Sequence, residues 1–370
     1  MTPIEELALL LRPAAGGLYV VSTGRAEQLA VQRKLYGVER DEDVDRLFRA
    51  ALTRIERARV VIMGVPSDVG AGFLRGANLG PQAVRAALLE DDAWPRWLED
   101  NGVLDIGDVF VVPQLLHDSM LGEAQLTASR RALYPQCSDA ERNALPVSPL
   151  SMAERALDLV FRLNPRVAPF VIGGDHSTAW PVVAAMAKVR KDWGIVQPDA
   201  HTDLLEERLG VKYCFATWSF HANDLLGRGG KLVQVGTRAS RRDRAHWESS
   251  LGVRQFWAEE CLARPDEVID EIVTHLRARG VSAVYFSNDI DGTDEEFADA
   301  TGTPEPGGLT PEFLVSLIRR LGKDIGLLGG DVMEVAPPIQ RTAGGAKRTT
   351  ELAARYVRET LEAIVLTSRR

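Results

Sequence analysis

Three short stretches of the sequence bring metal-binding side chains close together. The segment 199–203 reads DAHTD, so two carboxylates and one imidazole occupy alternate positions. The segments 173–177 (GGDHS) and 288–291 (NDID) have the same character, and each of the three follows an apolar run. The candidate metal ligands are His176, Asp199, His201, Asp203, Asp289 and Asp291.

These residue types favour a pair of hard or borderline divalent cations such as Mn²⁺ over a zinc ion held by thiolates. Alternate residues of an extended chain point to one face, so the ligands of 199–203 converge if the strand ends near Pro198. Acidic residues at strand ends also cap helices, and that explanation suffices for a single aspartate. Three clusters at three strand ends instead favour a metal centre, because open α/β sheets bind ligands at the carboxyl ends of their strands.

Strands and helices alternate along most of the chain, which predicts an α/β fold with a mostly parallel sheet covered on both faces. Seven or eight strands then form one large doubly wound domain. The clearest strands are 59–63, 103–109, 168–172, 193–197, 231–235, 283–288 and 325–328. The clearest helices are 152–163, 178–190, 266–279, 311–321 and 347–366.

Two regions lie outside this alternation. Residues 1–58 have helical apolar spacing and are expected to form an N-terminal helical extension. Residues 112–150 are the least regular part of the chain, and we interpret them as an insertion or a lid.

Composition limits the classes of function. The chain has 370 residues, is 45% hydrophobic and carries a formal net charge of −8, which argues against nucleic-acid or anionic-membrane partners. Cys137, Cys214 and Cys261 are far apart, so neither a disulfide framework nor a thiolate zinc site is expected. The N-terminus lacks the features of a signal peptide, and no apolar run approaches membrane-spanning length. We therefore expect a cytoplasmic protein.

Several motifs together resemble the ureohydrolase family, which includes arginase, agmatinase and formiminoglutamase. The similarity covers about residue 59 to the C-terminus, which we take as an arginase-like metallohydrolase domain of residues 59–370. The matching motifs are GVPSDVGAGFLRGANLGPQAVR from Gly64, VLDIGDV from Val103, GGDHS from Gly173, DAHTD from Asp199, VGTRAS from Val235, NDIDGTDEEFADATGTPEPGGLT from Asn288 and GGDVMEV from Gly329.

The resemblance implies a three-layer α/β/α fold, an eight-stranded parallel sheet and two Mn²⁺ ions per chain, with Ni²⁺, Fe²⁺ or Co²⁺ as alternatives. One ion is expected on His176, Asp199, Asp203 and Asp289. The other is expected on His201, Asp199, Asp289 and Asp291. Such a pair lowers the pKa of water so that it can attack a guanidinium carbon, releasing urea and an amine. The family also forms homo-oligomers, so a trimer or hexamer is expected.

Glu334 matches the family glutamate that binds the substrate guanidinium, and Asp203 and Glu334 are therefore candidate catalytic residues. The family histidine that protonates the leaving amine is replaced by Phe215, which cannot transfer a proton. His221, six residues further on, is a candidate replacement, although local hydrogen bonds are an equally ordinary role for it.

Specificity is expected in the loop after the DAHTD motif. Arginase-type contacts to an α-amino acid are absent, and the segment 334–338 is closer to agmatinase-like members. Glu206 is a candidate partner for a cationic substrate tail, or it belongs to a solvated loop face. Phe215 and Trp218 are candidate walls of the substrate pocket, or they pack the core.

Three functions remain open on the sequence alone. The first is hydrolysis of an agmatine-like or unusual guanidino compound. The second is an accessory or weakly active homologue, which the loss of the shuttle histidine suggests. The third is hydrolysis of a formimino or amide compound on the same metals.

Overall fold

The computed structural model describes residues 1–369 and contains a single nine-stranded sheet. The strand order is β1-β3-β2-β4-β9-β8-β5-β6-β7. Strands β2 to β9 are parallel, and only the short β1 pairs antiparallel, with β3. The strands are β1 (Leu11–Arg12), β2 (Val60–Val65), β3 (Val103–Val109), β4 (Ala168–Gly173), β5 (Trp193–Pro198), β6 (Leu232–Thr237), β7 (Arg254–Trp257), β8 (Ala283–Asp289) and β9 (Leu327–Met333).

Helices cover both faces of the sheet and bury one hydrophobic cluster on each side. The helices are α1 (Pro3–Leu10), α2 (Arg25–Tyr36), α3 (Asp41–Leu52), α4 (Gly80–Leu88), α5 (Trp94–Asn101), α6 (Glu123–Leu133), α7 (Asp139–Ala144), α8 (Pro149–Leu163), α9 (Trp180–Ala187), α10 (Trp218–Leu225), α11 (Arg244–Leu251), α12 (Ala258–Ala263), α13 (Pro265–Ala278), α14 (Pro311–Asp324) and α15 (Gly345–Ser368). Helices α4, α5, α13, α14 and α15 pack on one face, and α1, α3, α8, α9 and α10 pack on the other. Within residues 1–369, no helix has an apolar stretch that would reach across a bilayer.

The three-layer α/β/α architecture and the parallel sheet confirm the predicted fold class. Eight parallel strands are present, and the ninth strand is β1, from the N-terminal segment. The sequence did not indicate β7, because its four residues, RQFW, include no apolar run and form a strand only by pairing with β6 at the sheet edge. The region 112–150 contains two helices, α6 and α7, rather than irregular chain.

The N-terminal segment is mostly helical and packs tightly on the sheet domain. Leu7 and Leu10 of α1 are fully buried in the cluster that includes α8. Glu6 accepts two hydrogen bonds from Arg155 of α8, at 2.6 and 3.0 Å. Because β1 follows directly and extends the sheet, this segment shares its core with the rest of the chain. The division between residues 1–58 and 59–370 stays a prediction.

A buried ion cluster ties α4 to β3. The guanidinium of Arg85 donates to both oxygens of Asp105, at 2.8 and 3.0 Å, and also to Asp108. Burial raises the pKa of Asp108, while the nearby guanidinium opposes that shift. For Arg85, burial would lower the pKa, but the two carboxylates outweigh burial and raise it. The three charges therefore stabilise one another in a region that water does not reach.

Replacing Arg85 by methionine leaves Asp105 and Asp108 buried without a cation. We expect the free energy of unfolding to fall by about 3–5 kcal/mol, because an uncompensated buried charge is costly. Urea denaturation followed by circular dichroism measures the loss. The control is Arg96→Met, which removes a guanidinium that is 86% exposed and should leave stability almost unchanged. Equal losses in the two variants would contradict the prediction.

Candidate metal centre

Four neighbouring strands at the middle of the sheet, in the order β4, β9, β8 and β5, bring the candidate residues together. His176 follows β4, Glu334 follows β9, and Asp289 ends β8. The segment 199–203 follows β5, which ends at Pro198 as the sequence predicted. Because these strands are parallel, their carboxyl ends meet at one edge of the sheet.

The first group of ligand atoms surrounds the imidazole of His176. Its Nδ1 lies 2.9 Å from Asp289 Oδ2, 3.5 Å from Asp199 Oδ2 and 3.6 Å from Asp203 Oδ2. All four side chains are buried. One atom each of His176, Asp199 and Asp289 fall within 4.8 Å of one another, which is the spacing of ligands around a single ion.

The second group surrounds His201, which is 27% exposed and lies at the cavity side of the centre. Its Nδ1 lies 3.1 Å from Asp291 Oδ2 and 3.6 Å from Asp199 Oδ1. Asp199 therefore directs Oδ2 to the first group and Oδ1 to the second. The two groups share this carboxylate, and together they contain the six predicted ligands.

The electrostatics of the site fit a pair of divalent cations. Burial, followed by the neighbouring carboxylates, raises the pKa of Asp203 and of Asp289 well above the usual range. Burial would lower the pKa of His201, but Asp291 and Asp199 raise it to about 12. Four carboxylates this close repel one another unless positive charge lies between them, and oxygen-rich donors with a minority of imidazole bind Mn²⁺-like ions.

A second layer of hydrogen bonds orients His176. Its Nε2 lies 3.1 Å from Ser287 Oγ, and Ser287 Oγ lies 3.0 Å from Asp331 Oδ2. The hydroxyl of Tyr285 donates to the same Asp331 oxygen at 2.7 Å. A proton on Nε2 that points to Ser287 leaves Nδ1 with its lone pair toward the carboxylates, as a metal ligand requires. No motif in the sequence predicts this supporting role for Ser287, Tyr285 and Asp331.

A row of buried glutamines crosses three strands and ends at Asp199. Gln197 donates to Asp199 Oδ2 at 2.7 Å, and its own oxygen accepts from Gln234 at 2.9 Å. Gln255 in turn donates to Gln234 at 2.8 Å. All three side chains are fully buried. The sequence shows a glutamine within each of the segments that form β5, β6 and β7. Only the register between these strands shows that the three glutamines are neighbours and that their amides are in contact.

Trp218 lies behind the centre and does not line a cavity. Its indole Nε1 donates to Asp203 Oδ2 at 3.0 Å, and its ring stacks on His176 with 4.5 Å between ring centroids. Its exposed fraction is 0%. Of the two roles that the sequence left open for Trp218, a pocket wall or core packing, these contacts agree with core packing, and they hold two candidate ligands.

Two other candidate residues are also turned away from the metals. The Nε2 of His221 lies 3.0 Å from the carbonyl of Glu206 and 3.1 Å from that of Lys212, so its N–H is used to hold that loop. Burial also lowers the pKa of His221, which disfavours the protonated form. The side chain of Glu206 is exposed and lies outside the two cavities next to the centre. These contacts differ from those that a proton shuttle or a tail-binding carboxylate needs.

Phe215 stands between two cavities at the mouth of the site. One cavity, of about 550 Å³, reaches His201 and Asp203, and the other, of about 430 Å³, borders the loops 69–72 and 114–121. A Cβ placed on Gly72 would lie 3.4 Å from the ring of Phe215, and the backbone N–H of Phe215 donates to the carbonyl of Gly70. Phe215 therefore lines both cavities next to the centre, and its contact with a substrate stays a prediction.

Glu334 lies next to the first group in a strained backbone. It has a φ of 62°, which is rare for a glutamate, and Asp203 has a φ of 52°. Glu334 Oε1 accepts the N–H of His176 at 2.9 Å, while Oε2 has no hydrogen-bond partner within the described 369 residues. Such strain persists where surrounding structure enforces it, and it is concentrated at functional sites.

Arg238, in the VGTRAS motif, binds the loops around the second group. Its guanidinium donates to the carbonyls of Asp291 at 2.7 Å and Glu305 at 2.8 Å, and to four others nearby. It thus holds Asp291 and the proline-rich turn of 302–308 in place. The VGTRAS motif contains Arg238, but the motif alone does not predict these contacts.

The chain is similar to known proteins in sequence and in structure. The family profile described as Arginase family matches residues 58–362. The chain is 27% identical over 321 residues to an agmatinase of Halalkalibacterium halodurans, covering 85% of this chain and 96% of the relative. It is 34% identical over 295 residues to the Homo sapiens mitochondrial guanidino acid hydrolase, covering 77% and 74%. Among solved structures, the proclavaminate amidino hydrolase of Streptomyces clavuligerus has a TM-score of 0.64 and 28% identity, covering 84% and 93%.

Trp218→Phe keeps a ring against His176 but removes the N–H that binds Asp203. We expect divalent-metal affinity to fall about 10- to 100-fold, the usual effect of losing a group that orients a ligand. Calorimetric titration of the metal-stripped protein with Mn²⁺ measures it. Trp247→Phe is the matched control, because that indole donates instead to Ser240. An unchanged affinity in Trp218→Phe would show that Asp203 needs no such support.

Proposed function

The chain belongs to the arginase family, and on that basis we propose that it is a binuclear manganese-dependent hydrolase that cleaves a guanidino C–N bond to release urea and an amine. The observation that carries the proposal is the pair of His/Asp groups that share Asp199. Enzymes of this family depend on two metal ions. A chain that keeps six convergent ligands, with their supporting hydrogen bonds, keeps the means to bind both.

We assign the first ion to His176, Asp199, Asp203 and Asp289, and the second to His201, Asp199, Asp289 and Asp291. Mn²⁺ suits this set best, and Fe²⁺, Co²⁺ and Ni²⁺ are compatible with it. Two bound cations would lower the pKa of a water molecule and supply a nucleophile at neutral pH.

Glu334 supplies the binding group for the guanidinium. Its free Oε2 accepts an N–H of the substrate, while Oε1 stays bound to the His176 amide. A planar guanidinium presents paired donors that match a carboxylate. Asp175, whose charge acts on Glu334, adds negative potential at the same place. The substrate cation is therefore held with its central carbon toward the metal ligands.

The family assignment does not identify the substrate tail, which is the part of the substrate beyond its guanidino group. One relative is named for an amine, agmatine, and another for guanidino acids, so the names support the guanidino group but not one tail. We also propose that the protein is cytoplasmic and that it forms a homo-oligomer, either a trimer or a hexamer. Analytical ultracentrifugation measures the number of chains in the oligomer.

Phe215 is the observation that favours the second candidate, an accessory or weakly active homologue. Neither Phe215 nor the engaged His221 can protonate a leaving amine. A formimino or amide hydrolase is the third candidate, since it would use the same metal ligands. Product analysis separates the three: urea supports the first, ammonia or formamide without urea supports the third, and bound metal without any product supports the second.

Asp289→Asn removes a charge that both proposed ion sites use. We expect metal content to fall below two ions per chain and urea release to drop by at least about 10³-fold, because the nucleophile and its orientation depend on the ion pair. Metal analysis of the purified protein and a urea assay measure the two effects. Asp158→Asn, which changes a carboxylate paired with Lys188 far from the centre, is the control. Full metal content and full activity in Asp289→Asn would refute the assignment.

Phe215→His restores a proton-transferring side chain at the mouth of the site. If protonation of the leaving amine limits turnover, kcat should rise by about tenfold or more. Steady-state urea release with the best guanidino substrate measures it, and Phe215→Leu controls for the loss of the ring. An unchanged kcat would mean that the leaving group obtains its proton elsewhere.

A further inference from the structure

The larger cavity beside the centre has opposite charges at its two ends. Its inner end is formed by His201 and Asp203 of the proposed ion sites. Its outer wall includes three arginines that reach it from two separate loops, Arg208, Arg241 and Arg242. Loop 204–212 follows β5, and the segment 239–243 joins β6 to α11.

These three guanidinium groups make no salt bridge within residues 1–369. All three residues are exposed, and none has an acidic partner within residues 1–369. Arg208 lies over the ring of Phe215, with 5.0 Å from its Cζ to the ring centroid, which places its charge at the cavity mouth. By contrast, Arg244, just beyond the same segment, is paired with Glu260 at 2.8 Å and does not line the cavity.

No carboxylate offsets them in the cavity wall. Glu206 and Glu207 belong to the same loop as Arg208, but neither side chain lines this cavity. The acidic groups are at the opposite end, where Asp203 belongs to the proposed ion sites. A ligand that fills the cavity therefore meets negative groups at one end and positive groups at the other.

Resting on the proposed function, we infer that the substrate is an ω-guanidino carboxylic acid whose carboxylate is bound by Arg208, Arg241 and Arg242. Arginine forks bind carboxylates in a paired geometry. A substrate with a cationic tail would instead be repelled by three unpaired guanidiniums, so the same residues exclude a diamine-like compound. The cavity volume of about 550 Å³ accommodates a short aliphatic chain between the two ends.

The implied reaction balances with water alone. The bond between the guanidinium carbon and the alkyl nitrogen breaks, and a bond from that carbon to the water oxygen forms. In the net reaction both water protons end on the alkyl nitrogen, which leaves as an ammonium group while urea keeps the four hydrogens of the two remaining nitrogens, so the products are urea and an ω-amino acid. The carboxylate takes no part in the bond changes, and the three arginines are therefore specificity-determining residues.

The test uses the full-length Mn²⁺-loaded protein and three guanidines of equal chain length: 4-guanidinobutyrate, agmatine and n-butylguanidine. We expect kcat/KM for the acid to exceed that for the other two by at least about 100-fold. Similar or higher values for agmatine or butylguanidine would overturn the inference while leaving the proposed function intact. Absence of urea from all three, with both metals bound, would overturn the proposed function itself.

The double variant Arg241→Gln/Arg242→Gln and the single variant Arg208→Gln identify the residues. For 4-guanidinobutyrate we expect KM to rise about 10- to 100-fold with kcat within about twofold, because charge-assisted hydrogen bonds to the tail are lost. Activity on butylguanidine should not fall, which separates this effect from a folding defect. Arg244→Gln is the control and should leave the KM for the acid unchanged. An unchanged KM in both test variants would overturn the assignment.

Discussion

The crowding of four carboxylates, those of Asp199, Asp203, Asp289 and Asp291, is the constraint on which the rest of the structure depends. Oxygen atoms of Asp199, Asp203 and Asp289 lie 3.5, 3.6 and 2.9 Å from one imidazole nitrogen, and all three residues are buried. Such an arrangement is unfavourable in a protein interior unless cations compensate it. Burial, followed by the neighbouring carboxylates, raises the pKa of Asp203 and that of Asp289, so both groups favour the protonated form when no cation is near. Binding of two divalent ions would turn this unfavourable cluster into a source of stability.

The surrounding hydrogen bonds hold this cluster in one arrangement. Ser287 and Asp331 fix the ring of His176, Gln197 fixes Asp199, and Trp218 fixes Asp203. The supporting groups come from three strands of the sheet, β8, β9 and β5, and from helix α10, which packs on one face of it. The ligands are therefore oriented by the interior of the domain rather than by their own loops, which keeps them preorganised for metal.

The cavity next to the centre differs from the buried cluster, because its charged groups are exposed and are not held by surrounding hydrogen bonds to acidic groups. Its walls come largely from loops, and its charged groups, Arg208, Arg241 and Arg242, have no acidic partner in the part of the chain that the structure describes. The buried ligands at the sheet edge would serve catalysis, and the exposed charges on the loops would serve substrate specificity. This division is common where one fold serves several substrates, because loops tolerate change that the core does not.

The sequence by itself determined the ligand types, their i, i+2, i+4 spacing and the alternation of strands and helices, because these depend on local periodicity. It thereby predicted the fold class and the six residues that converge. Only the tertiary structure decided that β9 lies between β4 and β8, that Trp218 supports Asp203, and that His221 binds a loop instead of approaching the metals. It also placed Arg208, Arg241 and Arg242, from loops after different strands, on the wall of one cavity. Strand order and side-chain direction depend on packing between segments that are distant in the sequence. Local residue spacing predicts single strands and helices, but it does not predict that packing.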